Sequence, residues 1–202
     1  MAVYTKIVNK DISYINKKFK IEKIKSFKGI KQGIENTNYL LRSKNKKFIL
    51  TIFEKRVLKK EIPFFMKLMD QLSDLDINCP KPLKNKNGKF LIKLKNKTAC
   101  IVTFLNGKDK KKLNYKNCYE IGKAIAQMHL STTKLKLYRV NSMSPVKLNP
   151  LLKKIKFRSR EFKNLEKFLK INFQSIKKNW PKQLPKGIIH GDLFIDNIFF
   201  KN

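Results

Sequence analysis

From residue 21 to about residue 105 the apolar positions fall mostly in short alternating or continuous runs, and beyond residue 113 they recur at a period near 3.6. An opening helix precedes the first run, with Asn9 as its cap and Ile12, Ile15 and Phe19 on one face. Residues 21–27, 37–42 and 47–53 read as strands joined by short turns, which makes an antiparallel meander. Residues 61–70 and slightly beyond read as a helix, with Pro63 in its first turn and Ile62, Phe65, Leu68, Met69 and Leu72 as its apolar stripe. Cys79-Pro80-Lys81-Pro82 must be extended, because each proline pushes the residue before it out of the helical region. Residues 90–94 and 99–105 complete five strands, and the second of these is apolar nearly throughout, as an interior strand is.

The turn Asn106-Gly107 marks the change of period and the expected division into an N-terminal lobe, 1–107, and a mainly helical lobe, 108–202. Asn114 caps a helix to about residue 131, carrying Cys118, Ile121, Ile125, Met128 and His129 near one stripe. Residues 132–150 read as irregular, and 150–178 as one broken helix or two, with Phe162, Leu165, Phe168, Leu169 and Phe173 at helical spacing. Trp180-Pro181 and Pro185 end that helix. The fold class expected is α+β, a five-stranded antiparallel sheet followed by helices.

Near the end, two apolar runs at 188–189 and 198–200 flank the polar stretch His190-Gly191-Asp192-Leu193-Phe194-Ile195-Asp196-Asn197, which reads as strand, loop, strand. Phosphoryl transfer needs a carboxylate to accept a hydroxyl proton and a neutral oxygen nearby to hold Mg²⁺. His-x-Asp-x-x-x-x-Asn supplies both from one loop, with Asp192 as the candidate catalytic base and Asn197 as the candidate metal ligand. A second feature lies far upstream, between the first two strands. Gly29 and Gly33 stand four residues apart in a loop that closes on Asn36 and Asn38. Glycine there permits backbone N–H groups to approach phosphates, although in a hairpin it ordinarily serves the turn alone.

Composition narrows the function classes. The chain carries 48 Lys+Arg against 14 Asp+Glu, a formal net charge of +34, with 42% hydrophobic residues to form a core. Arginine occurs only at 42, 56, 139, 158 and 160, and lysine is spread through every segment. A nucleic-acid reader concentrates its charge and uses arginine for bidentate contacts, so no specific nucleic-acid partner is expected. The rival from that class is a non-enzymatic basic protein whose salt-dependent anion binding survives Asp192→Asn. Cys79, Cys100 and Cys118 are dispersed and odd in number, which argues for free thiols and against a zinc site. The start lacks a signal-peptide core, and no apolar run approaches the roughly 18 residues of a membrane span. A cytoplasmic protein without a membrane partner is expected.

The order of glycine hairpin, meander, helix, interior strand, long helix and Asp-x-x-x-x-Asn loop resembles the protein-kinase-like superfamily. Within it the resemblance is to the aminoglycoside phosphotransferase and choline kinase group, and most closely to the homoserine kinase family of that fold. The residues carrying it are Met1-Ala2-Val3-Tyr4-Thr5, Ser26-Phe27-Lys28-Gly29-Ile30, Gly33-Ile34-Glu35-Asn36-Thr37-Asn38-Tyr39-Leu40-Leu41, Phe48-Ile49-Leu50-Thr51-Ile52-Phe53-Glu54-Lys55-Arg56, Pro63-Phe64-Phe65, Ile101-Val102-Thr103-Phe104-Leu105 and His190-Gly191-Asp192-Leu193-Phe194. The resemblance implies ATP-dependent phosphorylation of the L-homoserine hydroxyl, a step toward threonine, with ATP and Mg²⁺ as cofactors. It also implies a phosphate-covering hairpin over residues 29–38, a hinge at Thr103 to Leu105 whose backbone bonds adenine, and a bracing role for His190.

This sequence departs from the family pattern in two places. Where the family's third strand carries a phosphate-gripping Lys or Arg, register places Thr51, and Lys55 or Arg56 is the nearest substitute. The pattern also has a further metal-binding Asp on a strand beyond Asn202, so this polypeptide is expected to have little or no kinase activity. Among acceptors, a polycationic aminoglycoside would be repelled by the +34 charge, and choline needs an aromatic cage that the sequence does not place. Homoserine is a zwitterion, for which the field is nearly neutral.

Overall fold

The computed structural model describes residues 3–33, 35–54, 58–154 and 160–201, with the backbone alone at 160–163. Lys55, Arg56 and the Phe162 side chain therefore lie outside the described residues. By contacts the chain divides into two units, Met1–Leu137 with Ile189–Asn202, and Tyr138–Ile188. The larger unit holds the sheet, the first three helices and the Asp192 loop. The helix after residue 108 is thus grouped with the sheet, since helices Ile62–Asp74 and Tyr115–Thr132 touch and Lys108 pairs with Phe200.

Five strands form one antiparallel sheet in the order β1-β2-β3-β5-β4: β1 (Ser26–Gly29), β2 (Thr37–Arg42), β3 (Lys47–Ile52), β4 (Leu91–Leu94) and β5 (Lys97–Thr103). The meander and the interior placement of β5 are as expected, because alternation on β2 and β3 assigns one set of side chains to each face. On one face Tyr39, Leu41, Phe48, Leu50, Ile52, Ala99 and Ile101 pack against Ile12, Ile15 and Phe19 of and beside α1 (Asn9–Lys18). On the other, Cys100 and Val102 pack against Ile62 and Met66 of α2 (Ile62–Asp74).

Local chemistry sets the boundaries. Asn9 does not cap α1; Val8 does, and the Asp11 carboxylate accepts from the Val8 N–H at 2.8 Å. The first strand starts at Ser26 and not at residue 21, because Ile24 is held out of the ladder by Asn16, whose Oδ1 accepts from its N–H at 2.9 Å. The segment around Pro82 is extended as its prolines require, and it continues the pairing of β5 beyond the end of β4 through a Pro82–Val102 bridge and a 2.9 Å bond from Leu83 N–H to Ile101 O. The β4–β5 hairpin turns on Lys95 and Asn96, both at positive φ (49° and 59°), the backbone of a tight two-residue turn.

The third helix, α3 (Tyr115–Thr132), is capped by Asn114, whose side chain accepts from Asn117 N–H at 2.9 Å. Its inward stripe is Asn117, Ile121, Ile125, Met128, His129 and Thr132; of the expected positions only Cys118 is exposed. The smaller unit is a pair of contacting helices, α4 (Pro145–Lys154) and α5 (Arg160–Lys178). There α4 starts five residues before Pro150, because Pro145 suits a first helical position and Ser144 O accepts from the Lys147 and Leu148 N–H groups. Among the described residues no helix is long and apolar enough to cross a membrane.

Ile15 is fully buried between α1 and the sheet. Ile15→Ala is expected to lower unfolding stability by about 2–5 kcal/mol, read as a drop in the urea midpoint at unchanged slope.

Candidate active site

The Asp192 loop is ordered by its own polar groups. The Asp192 N–H donates to His190 Nδ1 at 3.3 Å, and Asn197 Nδ2 donates to Asp192 O at 2.8 Å and to Asp192 Oδ2 at 3.3 Å. Between them Ile195–Asn197 makes one 3₁₀ turn, closed by the Asn197 N–H to Phe194 O bond at 3.0 Å. The two predicted site residues are therefore side by side, and His190 braces the loop. With Nδ2 turned to Asp192, the Asn197 Oδ1 accepts no hydrogen bond among the described residues, and both residues are exposed.

The strands expected to flank this loop do not form. Residues 188–189 have no ladder partner among the described residues, and 198–200 pair only at Phe200. That one pairing fixes the loop to the larger unit: Lys108 N–H donates to Phe200 O at 3.0 Å and Phe200 N–H to Lys108 O at 2.9 Å. Lys110 Nζ sits 4.6 Å from the Phe200 ring centroid, and Lys201 reaches Asn78 at 3.3 Å. Gly107 makes the approach possible. A Cβ there would lie 3.0 Å from Phe199 Cβ and 3.1 Å from Phe200 O. The sequence marks Gly107 only as a turn residue, and nothing in its neighbours reveals which backbone it must admit.

At the far end of the sheet, the glycine hairpin is held at its base. Gly29 is the last residue of β1, paired with Tyr39, and the space where its Cβ would go is filled by Val3 Cγ2 at 2.9 Å. Its glycine thus admits the N-terminal segment, whereas Gly33, at φ +90° with open space around it, is the residue whose backbone the turn requires. Asn36 Oδ1 accepts from the Glu54 N–H at 3.3 Å and Asn38 Oδ1 from Thr51 Oγ1 at 2.8 Å. Thr51, where the family resemblance leads one to expect a phosphate-gripping cation, orients Asn38 on the face that also carries Cys100. Burial pushes the Cys100 thiol up to about 12, which leaves it inert.

Glu54, which sequence reasoning passed over, is the hub beneath this hairpin. Its carboxylate accepts from Thr5 Oγ1 and Thr37 Oγ1, each at 2.7 Å, and pairs with Lys97 Nζ. Burial alone would raise its pKa, but the hydrogen bonds from Lys97, Thr5 and Thr37 outweigh it and hold the carboxyl below the usual glutamate range. The available signal was scarcity: with 14 acids against 48 cations, an acid directly after an apolar strand stands out.

The expected hinge is only partly available to a ligand. Thr103 N–H donates to Lys81 O and its Oγ1 accepts from Lys81 N–H, both at 2.9 Å, and Phe104 N–H reaches Lys47 O at 3.4 Å. Leu105 is exposed, and its backbone is uncommitted among the described residues. In sheet register the hairpin exit, Thr37, lies level with Ile52 and Ala99, four residues along β5 from Thr103. Among the described residues no cluster of three or more His, Cys, Asp or Glu is placed to hold a metal. The Asn197 amide oxygen and the Asp192 carboxylate are nevertheless hard oxygen donors of the kind Mg²⁺ takes alongside water and phosphate. A concavity of about 550 Å³ lies elsewhere, lined by Lys10, Asp11, Tyr14 and residues 93–96, and contains none of the candidate site residues.

The sequence profile of the phosphotransferase enzyme family matches residues 26–202. The chain belongs to this family. Among curated relatives, the homoserine kinase of Paramagnetospirillum magneticum is 39% identical over 201 residues, covering 99% of this chain and 62% of that protein. Those of Bradyrhizobium diazoefficiens and Agrobacterium fabrum are each 38% identical over the same shares. The chain thus spans about 62% of the length of the curated phosphotransferases it matches. Among solved structures, spectinomycin phosphotransferase in complex with ADP and spectinomycin superposes with a TM-score of 0.63 at 15% identity, over 98% of this chain and 67% of that one. A microcompartment-associated aminopropanol kinase gives 0.53 at 12% identity, over 69% and 47%. At those identities the likeness is one of fold, and it places the five-stranded sheet and following helices in the protein-kinase-like phosphotransferase fold.

Gly107→Ala is expected to abolish slow hydrogen exchange at the Lys108 and Phe200 amides while leaving that of β2, β3 and β5 intact, as read by amide exchange. Because the folded Glu54 carboxyl titrates below its ordinary value near 4.5, its contribution is present above that pH and lost as pH falls through the lowered value. The urea-stability gap between the wild-type chain and Glu54→Gln should accordingly be constant near neutrality and shrink on acidification below about pH 4.5.

Proposed function

We propose that this chain carries the nucleotide-binding and catalytic-loop portions of an ATP-dependent homoserine kinase, which transfers the γ-phosphoryl group to the side-chain hydroxyl of L-homoserine. One observation carries the reading: Asp192 Oδ2 and Asn197 Nδ2 lie 3.3 Å apart in a loop pinned beside the segment that follows β5. The curated relatives named homoserine kinase, at 38–39% identity over nearly the whole chain, support this acceptor over others in the family.

In this reading residues 1–107 hold the nucleotide and residues 108–202 bring the catalytic loop. The Asp192 carboxylate accepts a hydrogen bond from the acceptor hydroxyl, aims its oxygen at the γ-phosphorus and takes its proton as the new P–O bond forms and the bond to the leaving ADP breaks. Asn197 keeps the carboxylate in place through Nδ2 and offers Oδ1 to the metal. A bound magnesium ion supplies charge neutralisation on the phosphate oxygens. Backbone groups of the hairpin around Gly33 cover the phosphates, with Asn36 and Asn38 shaping its exit, and the Leu105 backbone meets the adenine edge. Phosphate attraction is helped by the surrounding lysines, which make up most of the +34 charge.

The test is Mg²⁺-dependent ADP release with L-homoserine, choline or an aminoglycoside as acceptor, in the 202-residue chain and in a chain extended to the relatives' length. Release is expected to be small in the former, and in the latter to be selective for L-homoserine. There Asp192→Asn should lower turnover by about 10²–10⁴-fold, and Asn197→Ala should raise the Mg²⁺ requirement. Equal turnover of choline, or full activity in Asp192→Asn, would overturn the proposal.

A further inference from the structure

We infer that Glu54 is a positioning residue for the residue 29–38 hairpin: it latches the N-terminal segment across the hairpin's two feet and thereby fixes the geometry in which the hairpin meets phosphate. The phosphate half of this inference rests on the nucleotide-binding reading above; the latch itself does not.

The two feet of the hairpin are gripped by the same short segment. At the entry, Val3 occupies the place of a Gly29 side chain. At the exit, the Thr37 hydroxyl accepts from the N–H groups of Tyr4 at 2.9 Å and Thr5 at 3.1 Å. That hydroxyl is fully buried, and its own proton goes to Glu54 Oε1. Thr5 repeats the pattern: its hydroxyl donates to the same oxygen, and its carbonyl accepts from Tyr39 OH at 3.0 Å. Lys97, at the start of β5, neutralises the carboxylate and donates to Thr5 Oγ1 at 2.7 Å. The Glu54 N–H meanwhile donates to Asn36 within the hairpin itself. One side chain and its own amide therefore touch the strap, the strand that leaves the hairpin, and the hairpin.

Among the described residues nothing comparable holds the tip. Residues 31–33 and 35 are exposed, and a Cβ on Gly33 would meet nothing within 4 Å. The tip's orientation is consequently set at its feet, and the feet are set through Glu54. A largely buried carboxylate whose partners are two hydroxyls and an ammonium from three separate elements is also hard to replace, because an amide in its place keeps one acceptor for the two hydroxyls but leaves the Lys97 ammonium without its counter-charge.

The experiment compares the 202-residue wild-type chain with Glu54→Gln and Thr5→Val, using amide hydrogen exchange and titration with ADP plus Mg²⁺, well below the melting temperature of each variant. In Glu54→Gln the amides of residues 4, 5 and 30–38 should exchange at least tenfold faster while those of β3 and β5 keep their protection, and ADP should bind about fivefold to tenfold more weakly. Thr5→Val should act in the same direction, and the double variant should be no worse than Glu54→Gln alone, since both remove one network. A purely structural role would lower global stability and leave ADP affinity unchanged; that result, or unchanged exchange in the hairpin, overturns the inference. If the wild-type chain fails to bind ADP while the exchange pattern appears as expected, the latch stands and the nucleotide-binding reading falls.

Discussion

The Asp192 loop is joined to the sheet-bearing unit by one pair of backbone hydrogen bonds, and that pair exists because residue 107 has no side chain. The flanking runs at 188–189 and 198–200 are apolar enough to be strands, but a strand is defined by its neighbour, and here the neighbour is the single residue Lys108. Everything the loop offers chemically is otherwise local. Asn197 bonds to Asp192, Asp192 to His190, and the 3₁₀ turn closes on itself. The Gly107 contact converts this self-contained loop into one with a fixed place relative to the end of β5. Chemistry and position are thus supplied by different residues, only the first of which has a recognisable pattern.

The sheet shows the same separation. Its two faces are assigned by alternation, and the apolar residues of β2, β3 and β5 bury themselves against α1 on one side and α2 on the other with little polar involvement. The polar interactions are gathered at the two ends of the strands. At one end are Glu54, Lys97, Thr5 and Thr37 with the hairpin; at the other are the Thr103–Lys81 pairing and the uncommitted Leu105 backbone. A rigid apolar slab with polar groups at its ends is a means of holding two recognition features a fixed distance apart.

What was legible follows from range. The meander, α2 with Pro63 in its first turn, and α3 with its Asn114 cap depend on interactions within a few residues, so propensity, period and capping chemistry were enough to place them. Several departures from the expected pattern have a distant cause. The first strand starts at Ser26, five residues later than its apolar run suggests, because Asn16, on α1, holds Ile24 aside. The sequence does not reveal that Gly29 must admit Val3, because Val3 is remote from it in the chain. Nor does it reveal that the Thr103 amide bonds to Lys81, which comes from an extended segment between α2 and β4. The Asp192–Asn197 pair was legible because its spacing alone brings the two side chains together, whereas Gly107 and Glu54 act through partners that no spacing rule connects.

The lysine excess shows how little of this architecture is electrostatic. Ion pairs such as Lys81–Asp74, Lys84–Asp70 and Lys170–Glu166 are substantially exposed on at least one partner, and pairs of that kind contribute about 0–1 kcal/mol each. The pair between Lys97 and Glu54 is different in kind: the carboxylate is only 10% exposed, and two hydroxyls share it. In a chain with more than three cations for every acid, most lysines have no acid to pair with. The few acids that do fall near apolar strands therefore report on local structure more sharply than any lysine. Glu54 is the case in point, since a carboxylate placed there satisfies donors from the N-terminal segment, β2 and β5 at once, and no cation in the same position could.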